Sequence, residues 1–348
     1  MAKILILGAG IAGHTAASHL RRKLSKEHEV VVVSPNRNYQ WVPSNIWVGI
    51  GRMKSDEVFF PLEPLYKRKG IGYKQAKVIS FHPEGDATET KGFVTIEYIF
   101  GKNAGVQEKV NYDYLINATG PKLAFELTEG LNPGTNKAYS VCTYEHAAHA
   151  SEALLKLIGD IKTSDKKAKI LIGTGHAKAT CQGAAFEYIL NVEKELVRYG
   201  VRDKIELTWI SNENELGDFG MDGMLLTYGN QTLKSSELVE MVFADHGIKW
   251  ILGAGVFKID EGKAHYENLE GEYKEEDFDF AMLIPSFSGH GFKAFDKNEN
   301  DITDKLFKGF MIVDADYTSK PYEEWTVQDW PETYQNPNYA NIFAPGLA

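Results

Sequence analysis

Two cysteines, Cys142 and Cys181, are the residues of this 348-residue chain best suited to covalent redox chemistry. The thiolate is the reactive form, and a helix N-terminus or a nearby lysine favours it. Cys181 closes the run Gly173-Thr174-Gly175-His176-Ala177-Lys178-Ala179-Thr180-Cys181, at the start of a helical pattern through Phe186, Ile189, Leu190, Leu196 and Val197. Lys178 and the helix end are both expected to lower its pKa, which points to a reactive thiol more than to a packing residue. Cys142 precedes Thr143, a helix-capping residue type, ahead of a helical pattern through Ala150, Ala153, Leu154 and Leu157. That position suits a reactive thiolate and an inert buried cysteine equally. Glu187 lies about 120° round an ideal helix from Cys181. The two share a site only if Cys181 lies in the turn and not in the helix. Two cysteines so far apart make neither a secreted disulfide scaffold nor a zinc or iron–sulfur site. His146 and His149 read as a solvated helix face and not as metal ligands.

The N-terminal glycines suit a different task, the binding of a pyrophosphate. Ile4-Leu5-Ile6-Leu7 reads as a buried strand, followed by Gly8-Ala9-Gly10-Ile11-Ala12-Gly13 and a helix through Ala16, Ala17 and Leu20. Gly8 permits the tight turn, Gly10 admits phosphate to the backbone, and Gly13 lets helix and strand pack closely. The N–H groups of Ile11, Ala12 and Gly13 then face the anion. The next strand, Glu29 to Val33, ends without the carboxylate that usually binds an adenosine ribose. Ser34-Pro35-Asn36 stands there instead, with Ser34 or Asn36 as the hydrogen-bonding group and Arg37 for a phosphate. Tyr39, Trp41, Pro43 and Ser44 suit either contact with a flavin ring or hydrophobic filling. Asp113, an apolar strand and Ala118-Thr119-Gly120 make a second dinucleotide feature. Gly346 reads as the turn after a strand at Ile342 to Ala344.

The elements that must position these groups are those of an α/β protein. Two Rossmann-like dinucleotide-binding domains are expected, with antiparallel β excursions such as the alternating stretch from Gly72 to Asn117. The lysine-rich stretch from Lys162 to Lys169 reads as a junction, so residues 1–165 with 296–348 are expected as one discontinuous domain and 166–295 as the second. The second domain opens with Lys169-Ile170-Leu171-Ile172-Gly173-Thr174-Gly175, a fingerprint that fails where Lys178 replaces the third glycine. It reads as a nucleotide site converted to another use. The net charge of −10 argues against nucleic acid as a partner. No signal peptide is seen, because Lys3 leads straight into the first strand. No apolar run approaches the roughly 18 residues of a spanning helix. The final strand and turn should feed a covering helix, but the chain stops, so it reads as an incomplete protein.

The sequence resembles the sulfide:quinone oxidoreductase family and its relative, the flavoprotein subunit of flavocytochrome c sulfide dehydrogenase. The resemblance spans essentially the whole chain. It rests on GAGIAG, on Tyr112 to Leu123 (YDYLINATGPKL), on Val141 to Ala147 (VCTYEHA), on Thr180 to Glu187 (TCQGAAFE), on Glu215 to Gly223 (ELGDFGMDG), on Ile284 to Gly289 (IPSFSG) and on the YQNPNYANIFAPG ending. It implies FAD in the first domain, sulfide oxidised to polysulfide or sulfur through a cysteine persulfide, and electrons passed to a membrane quinone. Cys142 matches the cysteine beside the flavin, Cys181 one member of the redox-active pair, and Glu187 a glutamate suited to proton transfer. Asp218 stands where some members carry histidine. The partner cysteine, the quinone-pocket aromatics and the amphipathic membrane helices correspond to sequence beyond this chain. The implied location is the surface of a prokaryotic cell membrane, as a peripheral protein, with a homo-oligomer left open. The alternatives are a cytochrome acceptor, an NADH:quinone oxidoreductase, or an FAD-binding fragment without turnover.

Overall fold

The computed structural model describes residues 1–135, 138–219, 223–318, 320 and 324–346. The chain forms two compact units: Met1–Trp41, Phe59–Lys122 and Ser288–Ala348 make the first, Val42–Val58 and Leu123–Phe287 the second. Each is built on a parallel sheet, as expected of continuous apolar runs that are covered on both faces.

In the first unit, Lys3–Leu7 lies between Glu29–Ser34 and Tyr114–Asn117, all parallel. Tyr339–Phe343 joins in parallel beyond Tyr114–Asn117, and Gly72–His82 beyond Glu29–Ser34. Leu5, Ile6, Leu7 and Val30 to Val33 are buried along this centre. Gly72–His82 then continues into an antiparallel ladder with Phe93–Tyr98 and Gln107–Asn111, which is the expected excursion. The helix Ile11–Lys23 crosses from the first strand to the second.

The second unit repeats the scheme. Ala168–Thr174 lies between Ile205–Ile210 and Phe280–Ile284, with Lys249–Ile251 outermost, all parallel. Gly255–Asp260, Lys263–Glu267 and Tyr273–Asp277 form a separate antiparallel sheet. A shared device closes both parallel sheets. The Lys3 N–H donates to the Asp113 carboxylate at 2.7 Å, and the Lys169 N–H donates to the Asp279 carboxylate at 2.8 Å, each 110 residues away. Asp113 is thus a clip between strand starts, not a group aimed at a ligand.

The division differs from the expected 1–165 with 296–348 and 166–295. The helix Tyr144–Lys162 buries Ala147, Ala150, Leu154, Ile158 and Ile161 in the same core as Ile170, Ile172 and Tyr188. The lysine-rich stretch is therefore an ordinary helix–strand connection within the second unit. Residues 42–58 join that core through Ile46, Val48, Ile50 and Val58. Among the described residues no helix is long and apolar enough to cross a membrane, and no group of histidine, cysteine and carboxylate residues could hold a metal ion.

Candidate active site

The first unit carries a glycine cradle. Gly8 has φ +91°, and a Cβ there would lie 2.0 Å from the Ala118 carbonyl oxygen. A Cβ on Gly13 would lie 2.1 Å from the Gly8 carbonyl oxygen. Only glycine allows the strand end, the helix and Ala118 to meet so closely. Gly10 differs, because a Cβ there would have nothing within 4 Å. It caps the helix Ile11–Lys23 with no side-chain hydrogen bond, and the first turn holds no acidic residue. Among the described residues, neither a side-chain cap nor a first-turn acid offsets the partial positive charge of this helix end. Ile11 is exposed and Ala12 partly so. Gly346, at φ +76°, places its Cβ position 3.9 Å from Ala12 Cβ, so the C-terminal turn joins the cradle.

The neighbouring turns are held in shape from behind. The Asn117 carboxamide oxygen accepts the Thr119 hydroxyl at 2.9 Å, and the His290 ring bonds the backbone at Thr119 and Gly120. Burial and Lys122 hold the pKa of His290 below its usual value against those bonds. Ser34 is buried, and its hydroxyl oxygen accepts the Asn36 N–H at 3.2 Å. The Pro35 carbonyl accepts from Gln75 at 3.3 Å and the Asn36 carbonyl from the Tyr73 hydroxyl at 2.7 Å. Tyr39 is buried and packs on His14 and Phe60, which favours the filling role for that ring. Pro43 and Ser44 fall in the second unit, in the short turn Val42–Ser44.

The second unit carries both sulfurs. Cys181 is the N-cap of the helix Gln182–Tyr199 and lies in the turn, outside the helix. Cys142 sits one residue before Thr143, which caps Tyr144–Lys162 by accepting the His146 N–H at 3.2 Å. Both thiols pack on one core, and they are close enough for the charge of Cys181 to act on Cys142. The short helix Asn45–Gly49 ties their segments together. The Asn45 side chain donates to the Val141 carbonyl at 3.0 Å, and the Tyr188 hydroxyl donates to the Gly49 carbonyl at 3.0 Å.

The expected lowering of the Cys181 pKa is not found. The Ala184 N–H reaches its sulfur and pulls the pKa down, but burial outweighs this and holds it above the ordinary thiol value. Lys178 is exposed and its backbone N–H bonds the His176 ring. Cys142 is pushed up to about 11 by burial, with Cys181 adding to the rise and a hydrogen bond from Ser140 opposing it. Glu187 is on an exposed helix position. His146 and His149 do not form a solvated face: both are partly buried, with their rings edge-on to Phe125 and Tyr139.

Several groups escaped sequence reasoning. Glu213 stands just after the second strand of its unit, where a nucleotide-binding unit would present a ribose-binding acid. Here it is buried, accepting the Ser211 hydroxyl at 2.8 Å and the Phe219 N–H at 2.6 Å. Burial, with the charge of Asp218 adding, holds its carboxyl above the usual range. Asn212 donates to the carbonyls of Ala177 and Ala179, and Gln182 donates to Ala179 and Asn212, so side chains close the turn before Cys181. The spacing Ser-x-Cys at 140–142 was the one available local signal, since serine two residues from an N–H commonly accepts from it. Gly220, Met221 and Asp222 of the glycine-rich loop lie outside the described residues.

Residues 2–185 match the family model described as pyridine nucleotide-disulphide oxidoreductase. The chain is 29% identical over 348 residues to the sulfide-quinone reductase of Aquifex aeolicus, covering all of this chain and 68% of that protein. It is 25% identical over 298 residues to the mitochondrial sulfide:quinone oxidoreductase of Dictyostelium discoideum, covering 83% of this chain and 57% of that one. The crystal structure of the sulfide:quinone oxidoreductase from Aquifex aeolicus superposes with a TM-score of 0.78 at 28% identity, over all of this chain and 68% of that one. The chain thus spans about 57–68% of the length of these relatives.

Proposed function

The chain belongs to the pyridine nucleotide-disulphide oxidoreductase family, and we propose that within it the protein oxidises sulfide through a persulfide on Cys181, with FAD as cofactor and a membrane quinone as electron acceptor. The observation that carries this reading is the converted second fingerprint. The turn that would receive a nicotinamide nucleotide is closed by Asn212 and Gln182, its acid is turned inward, and it ends on a helix-capping cysteine beside a second cysteine. The same features weigh against NADH as the reductant.

The first unit fits FAD. The helix end at Gly10 has no side-chain cap and has open space beside it, Ala118 and Gly346 border the same turn, and Ser34 ends the adjacent parallel strand. When bound, FAD supplies a two-electron acceptor that can be reoxidised by quinone. The residues of this chain handle sulfur and protons. Joining the Cys181 thiolate to hydrosulfide in a persulfide would release a proton to solvent and two electrons, which FAD, when bound, would accept. The raised pKa of Cys181 means that the thiol proton must first be removed, and the two N-terminal helix ends beside Cys142 and Cys181 stabilise the resulting anions. Glu187 is the proposed proton carrier to solvent. Cys142 is the second thiol of the site. The protein works as a peripheral component at a membrane surface.

The test is anaerobic addition of sulfide, and separately of NADH, to the FAD-loaded protein while the flavin absorption is followed. Sulfide should bleach the band and Cys181→Ala should abolish the bleaching. Bleaching by NADH alone, or full-rate bleaching by sulfide in Cys181→Ala, would refute the proposal.

A further inference from the structure

The turn that ends on Cys181 is held by side chains to which the reaction above gives no role. Its carbonyls are taken one by one. The Thr128 hydroxyl donates to the Gly175 carbonyl at 2.6 Å, and the Ser286 hydroxyl to that of Lys178 at 3.2 Å. Asn212 donates to the carbonyls of Ala177 at 2.9 Å and Ala179 at 3.0 Å. Carbonyls only accept, so these contacts fix the amide nitrogen of Asn212 on the turn, and its amide oxygen accepts from Gln182 at 3.1 Å. Gln182 is the first residue of the helix that Cys181 caps, and it also donates to the Ala179 carbonyl at 3.2 Å. One carboxamide thus joins the middle of the turn to the helix end that carries the sulfur.

The support of Asn212 is rigid. It follows the strand Ile205–Ile210 after Ser211, which is fully buried and donates its N–H to the Ile251 carbonyl at 2.9 Å. The Asn212 N–H donates to the hydroxyl oxygen of Thr174, also fully buried, at 3.1 Å. The turn is less well braced from within. The Ala179 N–H bonds the His176 carbonyl and the Lys178 N–H bonds the His176 ring, while Ala177, Lys178 and Thr180 are exposed. Cys181 has φ −119° and ψ 52°, outside the helical range, so the turn and not the helix sets its place.

We propose that Asn212 is a positioning residue for Cys181: by donating to the Ala177 and Ala179 carbonyls it fixes the turn, and with it the place of the sulfur. This rests on the reading of Cys181 as the sulfur carrier. Among the described donors to the turn, Asn212 alone bonds two of its carbonyls. A misplacement of about an ångström at a reacting atom costs up to about 100-fold in rate, so a side chain that never touches the sulfur still bears on the chemistry.

The experiment compares Asn212→Ala and Asn212→Asp with the parent, each as the full FAD-loaded chain. Asn212→Asp keeps the size of the side chain and the acceptor for Gln182 but brings no proton to the two carbonyls. Anaerobic sulfide titrations followed at the flavin band give the limiting rate of reduction and the sulfide concentration at half that rate. Both variants should lose about 10- to 100-fold in the limiting rate, with the half-saturating concentration unchanged. Hydrogen exchange, read by peptide mass spectrometry, should quicken over residues 175–181 and stay at the parent's level in the strands Ala168–Thr174 and Ile205–Ile210. A merely structural role would quicken exchange in both strands as well. That result, unchanged exchange of the turn, a loss confined to the half-saturating concentration, or either variant reducing flavin at the parent's rate would each overturn the inference. If sulfide leaves the parent's flavin oxidised, the proposed function fails, and exchange of the turn still decides whether Asn212 holds it.

Discussion

Gly10 and Gly13 belong to one fingerprint, yet substitution should separate them. In Gly13→Ala the new methyl would lie 2.1 Å from the Gly8 carbonyl oxygen and 3.3 Å from Ala118 Cβ. Ordinary contact is about 3.5 Å, so the helix must retreat by about an ångström from a strand end that is buried and paired on both sides. Overpacking of this kind costs about 1–3 kcal/mol. The intrinsic gain of alanine over glycine in a helix returns at most about 1 kcal/mol, so the variant should be destabilised even without cofactor. Gly10→Ala meets no atom within 4 Å, and Gly10 has extended backbone angles, φ −73° and ψ −163°, that alanine adopts freely. The cofactor-free protein should keep its stability to within about 0.5 kcal/mol. The methyl instead occupies the space proposed for the pyrophosphate, and a clash of about 1–3 kcal/mol there weakens FAD binding by about 5- to 150-fold. Urea denaturation of the cofactor-free variants and a fluorescence titration with FAD measure the two effects. A stable Gly13→Ala, or a Gly10→Ala that binds FAD as tightly as the parent, would refute the assignment of roles.

Tyr188→Phe should cost about 1–3 kcal/mol, because it leaves the buried Gly49 carbonyl without its donor; an unchanged urea midpoint would show that water replaces the hydroxyl. Asp113 has its pKa lowered by the Lys3 N–H first and Lys91 next. Its contribution is therefore complete above the unfolded aspartate value near 4 and lost as pH falls through the lower folded value. Asp113→Asn should flatten the acid side of the stability–pH curve and leave its shape above pH 6 unchanged, as thermal melts across pH 2–7 would record; an acid limb identical to the parent's would refute it.

Much of this architecture was legible because it is local. The run Ile4 to Leu7 with its glycines announces strand, turn and helix, and Cys181 is recognisable as a residue at a helix start. What escaped is non-local. The unit boundary depends on the helix Tyr144–Lys162 burying its apolar face with Ile170 and Tyr188, which periodicity alone does not reveal. The thiol pKa values depend on burial among residues distant in sequence, so the helix end and Lys178 suggested the wrong direction for Cys181. Nothing local in the sequence marks Glu213, because its partner, the Phe219 N–H, reaches it only once the following loop has folded back.

The nesting of the two units has a consequence for how the chain is made. The second unit's parallel sheet is complete once Phe280–Ile284 has pairing partners. The first unit's sheet must wait for Tyr339–Phe343 to pair with Tyr114–Asn117. During synthesis the later-starting unit can therefore close first. The earlier one meanwhile holds an unpaired edge at Tyr114–Asn117, with long-range closure the slow step. Refolding should show two phases, the slower reporting the first unit, and a chaperone that shields β-edges should act on that phase.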